Sequence, residues 1–344
     1  MRRHGGRWVQ NARGKRVFVS RRTGKTMEGE LIIPSNNGLT KKVWATSSNV
    51  ANKLYSVMKK RKHGTLLIRL GDGIGNIIEM TPTIQSIENE FGNFFDIHIS
   101  ILSYRSSYVK GIKDIFKDKK YKIYTHGANT NKYNVVLDIK PSWRKFNKSE
   151  VKYYMETLKD LKIEERNITT QGFCGFNETD KKYDVFLCNG YSKSKPGLKW
   201  EVKSYPHFAE LAKKLTDAGY KVCSSGTKNE YIKNTVDETG IPFADMVGIM
   251  KNSKLVISTD TAAYHAANAI KVPNIVLFTA TSVKRCYDVD FHKYATVMRR
   301  EKIQCNDTCH ERENHWRQCN NWRCRNIPVN DVYNKAIELL EKDK

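Results

Sequence analysis

Three short stretches of the chain hold residue types that can do chemistry at a useful spacing. GDGIG, Gly71–Gly75, sets one carboxylate, Asp72, among glycines directly behind the apolar run Leu66–Leu70. DTAAYH, Asp260–His265, sets a carboxylate and a hydroxyl ahead of small residues, with His265 four positions beyond Thr261. CNDTCHERENHWRQCNNWRC holds Cys305, Cys309, Cys319 and Cys324, with His310 and His315 between the pairs.

Each stretch has a chemical reading and a plain one. A carboxylate on a tight turn at the carboxyl end of a buried strand sits where open α/β sheets place ligands, and Gly71, Gly73 and Gly75 tolerate positive φ and close backbone approach. The plain reading is a strand-to-helix turn that only needs glycine. In the second stretch, first-turn N–H groups and the helix dipole favour an anion, so Thr261, Ala262 and Ala263 suit a diphosphate, with His265 on the same helix face. Equally, Thr261 is a helix cap and His265 a satisfied core histidine. The four late cysteines suit a structural zinc, but C-x3-C and C-x4-C are looser than paired C-x2-C spacings, so reduced, unliganded thiols are the preferred expectation. Cys174, Cys188, Cys223 and Cys286 read as scattered small core residues.

GDGIG is not the dinucleotide fingerprint, because position 76 is Asn, and it lacks the Lys-Ser/Thr ending of a triphosphate loop. The elements that must hold these residues decide more. Strands are expected at Leu66–Leu70, near Ile97–Leu102, at Lys122–Thr125 and near Val135–Ile139, with helices over Pro82–Phe91 and Ser106–Phe116. A second series runs through strand Val185–Cys188, helix Tyr205–Ala218, strand Lys221–Ser224, helices Asn229–Glu238 and Phe243–Asn252, strand Leu255–Ser258, helix Ala262–Ala269 and strand Asn274–Phe278. Such βα alternation with short connections gives parallel sheets covered by helices. At 344 residues the chain exceeds one ordinary core, so two domains and an appendage are expected.

The sequence shows neither a continuous apolar run long enough to span a membrane nor a hydrophobic leader, and a cytoplasmic protein is expected. The formal charge of +24 points to an anionic partner. Residues 1–63 hold sixteen basic residues against Glu28 and Glu30, more than half of that excess. Here β-prone runs at Trp8–Gln10, Val17–Ser20 and Leu31–Ile33 alternate with glycine-containing basic turns. A small ribbon using Arg2, Arg3, Arg7, Arg13, Lys15, Arg16, Arg21, Arg22 and Lys25 on a phosphate backbone is the expectation; a basic appendage aiding solubility is the plain alternative.

Four stretches in order, LLIRLGDGIGNIIEMTPTIQSI, LCNGYSKSKPGLKWEVKSYPHFAELAKKL, SSGTKNE and VISTDTAAYHAANAIKVPNIVLFTATS, resemble the heptosyltransferase-like glycosyltransferases of family 9, over about residues 64–342. The resemblance implies a GT-B fold: two Rossmann-like domains facing a cleft, a nucleotide-diphosphate sugar as co-substrate, normally ADP-heptose, and inversion at the anomeric carbon. The expected organisation is a basic segment 1–63, an acceptor domain 64–178, a nucleotide-sugar domain 179–325, and a C-terminal helix within 326–344 that packs back on the first domain. The resemblance implies Asp72 as catalytic base and Lys199, assisted by Lys193 or Lys195, as the cation on the phosphates. It also assigns Glu230 to the donor ribose and Asp260, Thr261 and His265 to the donor site. Ala262 stands where that family usually has glycine, which leaves room for phosphate but alters the motif. No catalytic metal is expected. The basic segment, which the family lacks, tilts the expected acceptor toward a hydroxylated base in DNA, in a phage-type system. A lipopolysaccharide core is the alternative, and a non-catalytic nucleic-acid-binding protein the second.

Overall fold

The computed structural model describes residues 6–10, 16–20, 47–60, 63–71, 73–101, 106–125, 127–139, 148–190, 200–300 and 322–342. It divides into two compact units, residues 1–50 and 51–344. In the first, β1 (Gly6–Gln10) and β2 (Arg16–Ser20) pair antiparallel with Trp8 opposite Phe18. These are two runs of the expected ribbon; the third, Leu31–Ile33, lies outside the described residues. Arg2, Arg3, Arg13, Lys15, Arg21, Arg22 and Lys25 also lie outside them, and of Arg7 and Arg16 only the strand position is described. Helix α1 (Ser47–Lys59) follows in sequence; Tyr55 on it meets Phe91 edge-on and donates to the Lys162 carbonyl.

The second unit holds two parallel sheets. The first half comprises β3 (Gly64–Leu70), α2 (Ile74–Phe91), β4 (Phe95–Ile101), α3 (Ser106–Ile115), β5 (Lys122–Tyr124), β6 (Val135–Asp138) and α4 (Glu150–Asp160). Its strand order is β5-β4-β3-β6, with Leu66, Leu67, Ile68 and Leu70 of the central strand fully buried. The second half comprises β7 (Tyr183–Cys188), α5 (Phe208–Asp217), β8 (Val222–Ser224), β9 (Val236–Asp237), α6 (Phe243–Lys251), β10 (Ser253–Thr259), α7 (Ala262–Ala269), β11 (Asn274–Phe278), α8 (Val283–Cys286), β12 (Ala295–Arg299) and α9 (Val329–Glu341). Its order, β9-β8-β7-β10-β11-β12, is that of a doubly wound dinucleotide fold, with the switch point between β7 and β10. Val332, Ala336 and Leu340 of α9 join the core of this half with Leu211 and Leu215 of α5, so the C-terminal helix packs on the second half and not, as expected, back on the first. Truncating such a buried leucine costs about 2–5 kcal/mol.

Helix α2 starts at Ile74, a full two turns ahead of the expected start at Pro82. Pro82 sits inside it because its missing N–H is replaced. The Ile78 carbonyl, which that N–H would have met, accepts the Thr81 hydroxyl at 2.7 Å, and Thr81 Oγ1 in turn accepts the Phe173 N–H at 3.0 Å. A second difference lies at Asn229–Glu238, where a helix is expected. There the chain makes a 3-10 turn, Lys228–Glu230, and then the edge strand β9. Ser224 Oγ takes the Ile232 N–H at 3.2 Å and Asn234 adopts φ 66°, so tertiary hydrogen bonding overrides helix propensity.

The halves meet directly. Helix α2 packs along α7 and α3 along α6, and the Gln171 side chain donates to the Ala269 carbonyl at 3.1 Å. Among the described residues no helix is long and apolar enough to cross a membrane.

Candidate active site between the two sheets

Asp260 and Thr261 leave the carboxyl end of β10 at the switch point, and Thr261 is the extended residue ahead of α7. A 3-10 turn, Trp200–Lys203, brings Lys203 Nζ to 3.0 Å from Asp260 Oδ2. Burial acts to raise the Asp260 pKa, but the Lys203 charge and then the contact with His265 outweigh it and hold the carboxyl well below its usual range. For Lys203 burial works against the charge, and Asp260 more than offsets it, so its pKa rises. The result is a fixed cation beside a helix start whose first N–H groups have no intrahelical partner. The hydroxyls of Thr259, Thr281 and Ser282, at the ends of β10 and β11, are buried and have no hydrogen-bond partner among the described residues. An anion with several oxygens would satisfy such groups.

His265 is buried between the halves. Its Nε2 faces Asp260 Oδ1 at 3.5 Å, while Nδ1 lies 3.0 Å from His292 Nε2 and 3.7 Å from Glu79 Oε1. Across from it, α2 presents Gly75: a Cβ built there would stand 3.0 Å from the His265 ring and 3.7 Å from Ala262 Cα. The glycine provides space and not conformation, since it is helical; Gly73 likewise has φ −71°, outside the left-handed region expected for this turn.

One turn further along α2, Glu79 is fully enclosed and its pKa is raised well above the carboxylate range, by burial first, then by Glu150 and Asp260. Glu150 itself is held by Arg285 and Asn76. These causes push the Glu79 carboxyl toward its neutral form. Glu79 Oε1, His265 Nδ1 and His292 Nε2 lie within 4.8 Å of one another, close enough to consider a divalent cation. The donor chemistry does not fit one. His292 Nδ1 accepts the Asp288 N–H at 2.9 Å, which places the ring's own proton on Nε2, the atom a cation would need bare.

The expected residues divide into groups. Asp260, Thr261, Ala262, Ala263 and His265 are together at the start of α7, and Gly75 faces them from α2. Asp72, Lys193, Lys195, Lys199, Cys305, Cys309 and Cys319 lie outside the described residues; Cys324 is buried with Val202 and Ala280. Glu230 closes a capping box, its Oε2 accepting the Thr227 N–H at 2.7 Å, and stands against Gly190 at the end of β7 and Gly226, whose φ of 148° only glycine adopts readily. Sequence reasoning misses Lys203, Glu79, Glu150, Arg285 and His292. Of these only Lys203, in the basic run before Tyr205, had a signal that could have found it.

Residues 146–316 match the family model described as glycosyltransferase family 9 (heptosyltransferase). The chain carries a glycosyltransferase family 9 domain. The match takes in Lys203, Glu230, Asp260, His265 and His292, and begins downstream of Asp72 and Glu79. Similar solved structures agree on the fold of the family 9 domain and the half before it. A glycosyl transferase family 9 protein from Veillonella parvula DSM 2008 has 13% identity and a TM-score of 0.58, covering 81% of this chain and 97% of that one. The ADP-heptose lps heptosyltransferase II of E. coli has 13% identity and a TM-score of 0.55, over 81% and 99%. The iron-containing dodecameric glycosyltransferase TibC of enterotoxigenic E. coli H10407 has 10% identity and a TM-score of 0.56, over 82% and 77%. Together these give the GT-B arrangement of two Rossmann-like halves. No curated protein matches the chain by sequence.

Proposed function

We propose that the protein transfers a sugar from a nucleotide-diphosphate donor of the ADP-heptose type to a hydroxyl of a saccharide acceptor, in the manner of lipopolysaccharide-core heptosyltransferases, with inversion. The observation that carries this reading is the family 9 (heptosyltransferase) match over the half that holds Lys203, Asp260 and the α7 start. The reading sets the donor diphosphate against Lys203, the first-turn N–H groups of Ala262 and Ala263 and the Thr261 hydroxyl, with Lys193, Lys195 and Lys199 supplying further charge. Asp260 touches Lys203 and not the donor, since a second anion there would repel phosphate. Glu230 has Oε1 left to accept from a ribose hydroxyl.

Asp72, flanked by Gly71 at the end of β3 and Gly73 ahead of α2, is the proposed general base. The acceptor oxygen attacks the anomeric carbon and its proton passes to the Asp72 carboxylate. The bond from that carbon to the diphosphate oxygen breaks, and the nucleoside diphosphate leaves with the electron pair. The lysines offset its charge, so no metal is called for, and the reaction belongs in the cytoplasm, where such donors are made. The DNA-base acceptor suggested by the basic segment gains no support from the family match, and the saccharide is preferred.

The test offers ADP-heptose with a truncated lipopolysaccharide core and, separately, with hydroxymethylated duplex DNA, following ADP release and acceptor mass. Sugar added to the saccharide, in the presence of chelator, is expected; Asp72→Asn should keep ADP affinity and lose turnover. Transfer to DNA alone, or full turnover by the Asp72→Asn enzyme, would sink the respective assignment.

A further inference from the structure

His292 is held more tightly than any residue of the proposed chemistry requires. Its ring lies stacked on Tyr264, centroids 4.5 Å apart at 12°, with Tyr287 on a near-parallel plane at 5.9 Å and Phe291 edge-on at 4.6 Å. Such packing fixes the plane and leaves no room for a ring flip. The turn that carries it is tied down as well. Asp288 Oδ1 accepts the N–H groups of Asp290 and Phe291 at 3.1 and 3.3 Å, and Oδ2 accepts the hydroxyl of Ser149, the N-cap of α4, at 2.6 Å.

We propose that His292 is a positioning residue that sets the tautomer of His265. The chain of donors runs one way. The Asp288 N–H points at His292 Nδ1, so the His292 proton is on Nε2; that proton is donated to His265 Nδ1 at 3.0 Å; His265 then carries its own proton on Nε2, which faces Asp260. Glu79 Oε1 lies 3.7 Å from His265 Nδ1, beyond hydrogen-bond reach, so it does not compete with His292 for that nitrogen. Burial also favours the neutral form of His292.

The consequence for function rests on the donor-site reading above. Asp260 has Lys203 on one oxygen and the His265 N–H toward the other, so its charge is committed and Lys203 stays aimed at the α7 start. If His265 took the other tautomer, its bare Nε2 would face the Asp260 carboxylate and repel it. His292 thus acts on the donor through two neighbours, without touching it.

The tautomers are directly observable in the full chain with ring-15N histidine, by long-range 1H–15N correlation near neutral pH. Wild type should show His265 and His292 each with a protonated Nε2 and a bare Nδ1. An imidazolium at either position, or a protonated Nδ1 on His265, overturns the proposal. In His292→Phe, which keeps the stacking and loses both nitrogens, His265 should divide between tautomers; a His265 signal unchanged from wild type also overturns it. His292→Gln, whose amide can donate to His265 Nδ1, should restore the single tautomer. With ADP as probe, His292→Phe should bind about five-fold more weakly and His292→Gln close to wild type, the loss of about one hydrogen bond. Failure of ADP to bind any of the three proteins counts against the donor-site reading, and the tautomer spectra still decide the inference.

Discussion

Glu79 on α2 and Asp260 behind β10 are the same functional group at nearly the same burial, on opposite sides of one histidine, and they end in opposite states. Burial raises the pKa of both. Asp260 has Lys203 at 3.0 Å, which favours its ionised form; Glu79 has Glu150 for a neighbour, with Arg285 paired to Glu150, which favours its protonated form. Burial alone therefore predicts nothing about charge at this site. The nearest ion decides, and the two halves of the molecule supply ions of opposite sign to the two carboxyls.

Removing the ion that separates them should have the largest effect. Lys203→Met leaves Asp260 buried without its cation, a change expected to cost about 3–5 kcal/mol of stability and to abolish ADP binding. Urea unfolding and calorimetric titration measure the two losses. Adding Asp260→Asn should recover most of the stability and none of the binding; a single variant as stable as wild type would show that the pair does not set the state of Asp260.

Next comes the contact that brings the two sides together. Gly75→Ala pushes a methyl into the His265 ring and should destabilise by about 1–3 kcal/mol, whereas Gly73→Ala, whose Cβ has its nearest neighbour at 3.7 Å, should be close to neutral. Equal thermal shifts in both variants would mean that α2 and α7 are not in contact there.

The protonated state of Glu79 has a definite sign in pH. Its folded pKa is raised, so its contribution is fully present below the unfolded value of about 4.3 and is lost as pH rises toward the folded value, by at most about 1.4 kcal/mol per pH unit. Glu79→Gln keeps a donor for Glu150 and removes that slope, so its advantage over wild type should grow from pH 5 to pH 8. Parallel stability profiles would place Glu79 among the ionised groups. Asp260, depressed, behaves oppositely: its contribution is present above the unfolded carboxylate range and is lost only in strong acid. Glu230→Ala should have the smallest effect, about 1 kcal/mol from the lost capping box, with weaker donor binding and an intact chemical step. An unchanged ADP dissociation constant would remove Glu230 from the donor site.

The second half was largely legible in the sequence, and the bounds expected for α7 and β11 are those observed. There the strands are unbroken apolar runs, and the Asp-Thr pair marks the change of period. Around Pro82 the signal misleads, because a proline normally opens a helix and here Thr81 supplies the missing donor. That error also hid Glu79, which falls ahead of the expected helix and inside the observed one, since α2 starts at Ile74. Lys203 was obscured by abundance: with Lys193, Lys195 and Lys199 nearby, spacing alone does not select the lysine that meets Asp260. His292 lies 27 residues beyond His265, in a turn with no motif, and only the folded chain brings the rings together.

The Thr81 hydroxyl that repairs α2 at Pro82 also receives the main chain of the connector between the halves. Genetically, this makes the two neighbours epistatic. Thr81→Val in the natural background strands a carbonyl and an N–H together, at a cost of about 1–3 kcal/mol for each buried group left unsatisfied. With Pro82→Ala the helix regains its own donor for Ile78, so the same valine strands only the Phe173 N–H and should cost roughly half as much. A threonine ahead of this proline is thus a joint requirement of two chain segments, and a drifting sequence has to change the proline before it can lose the threonine.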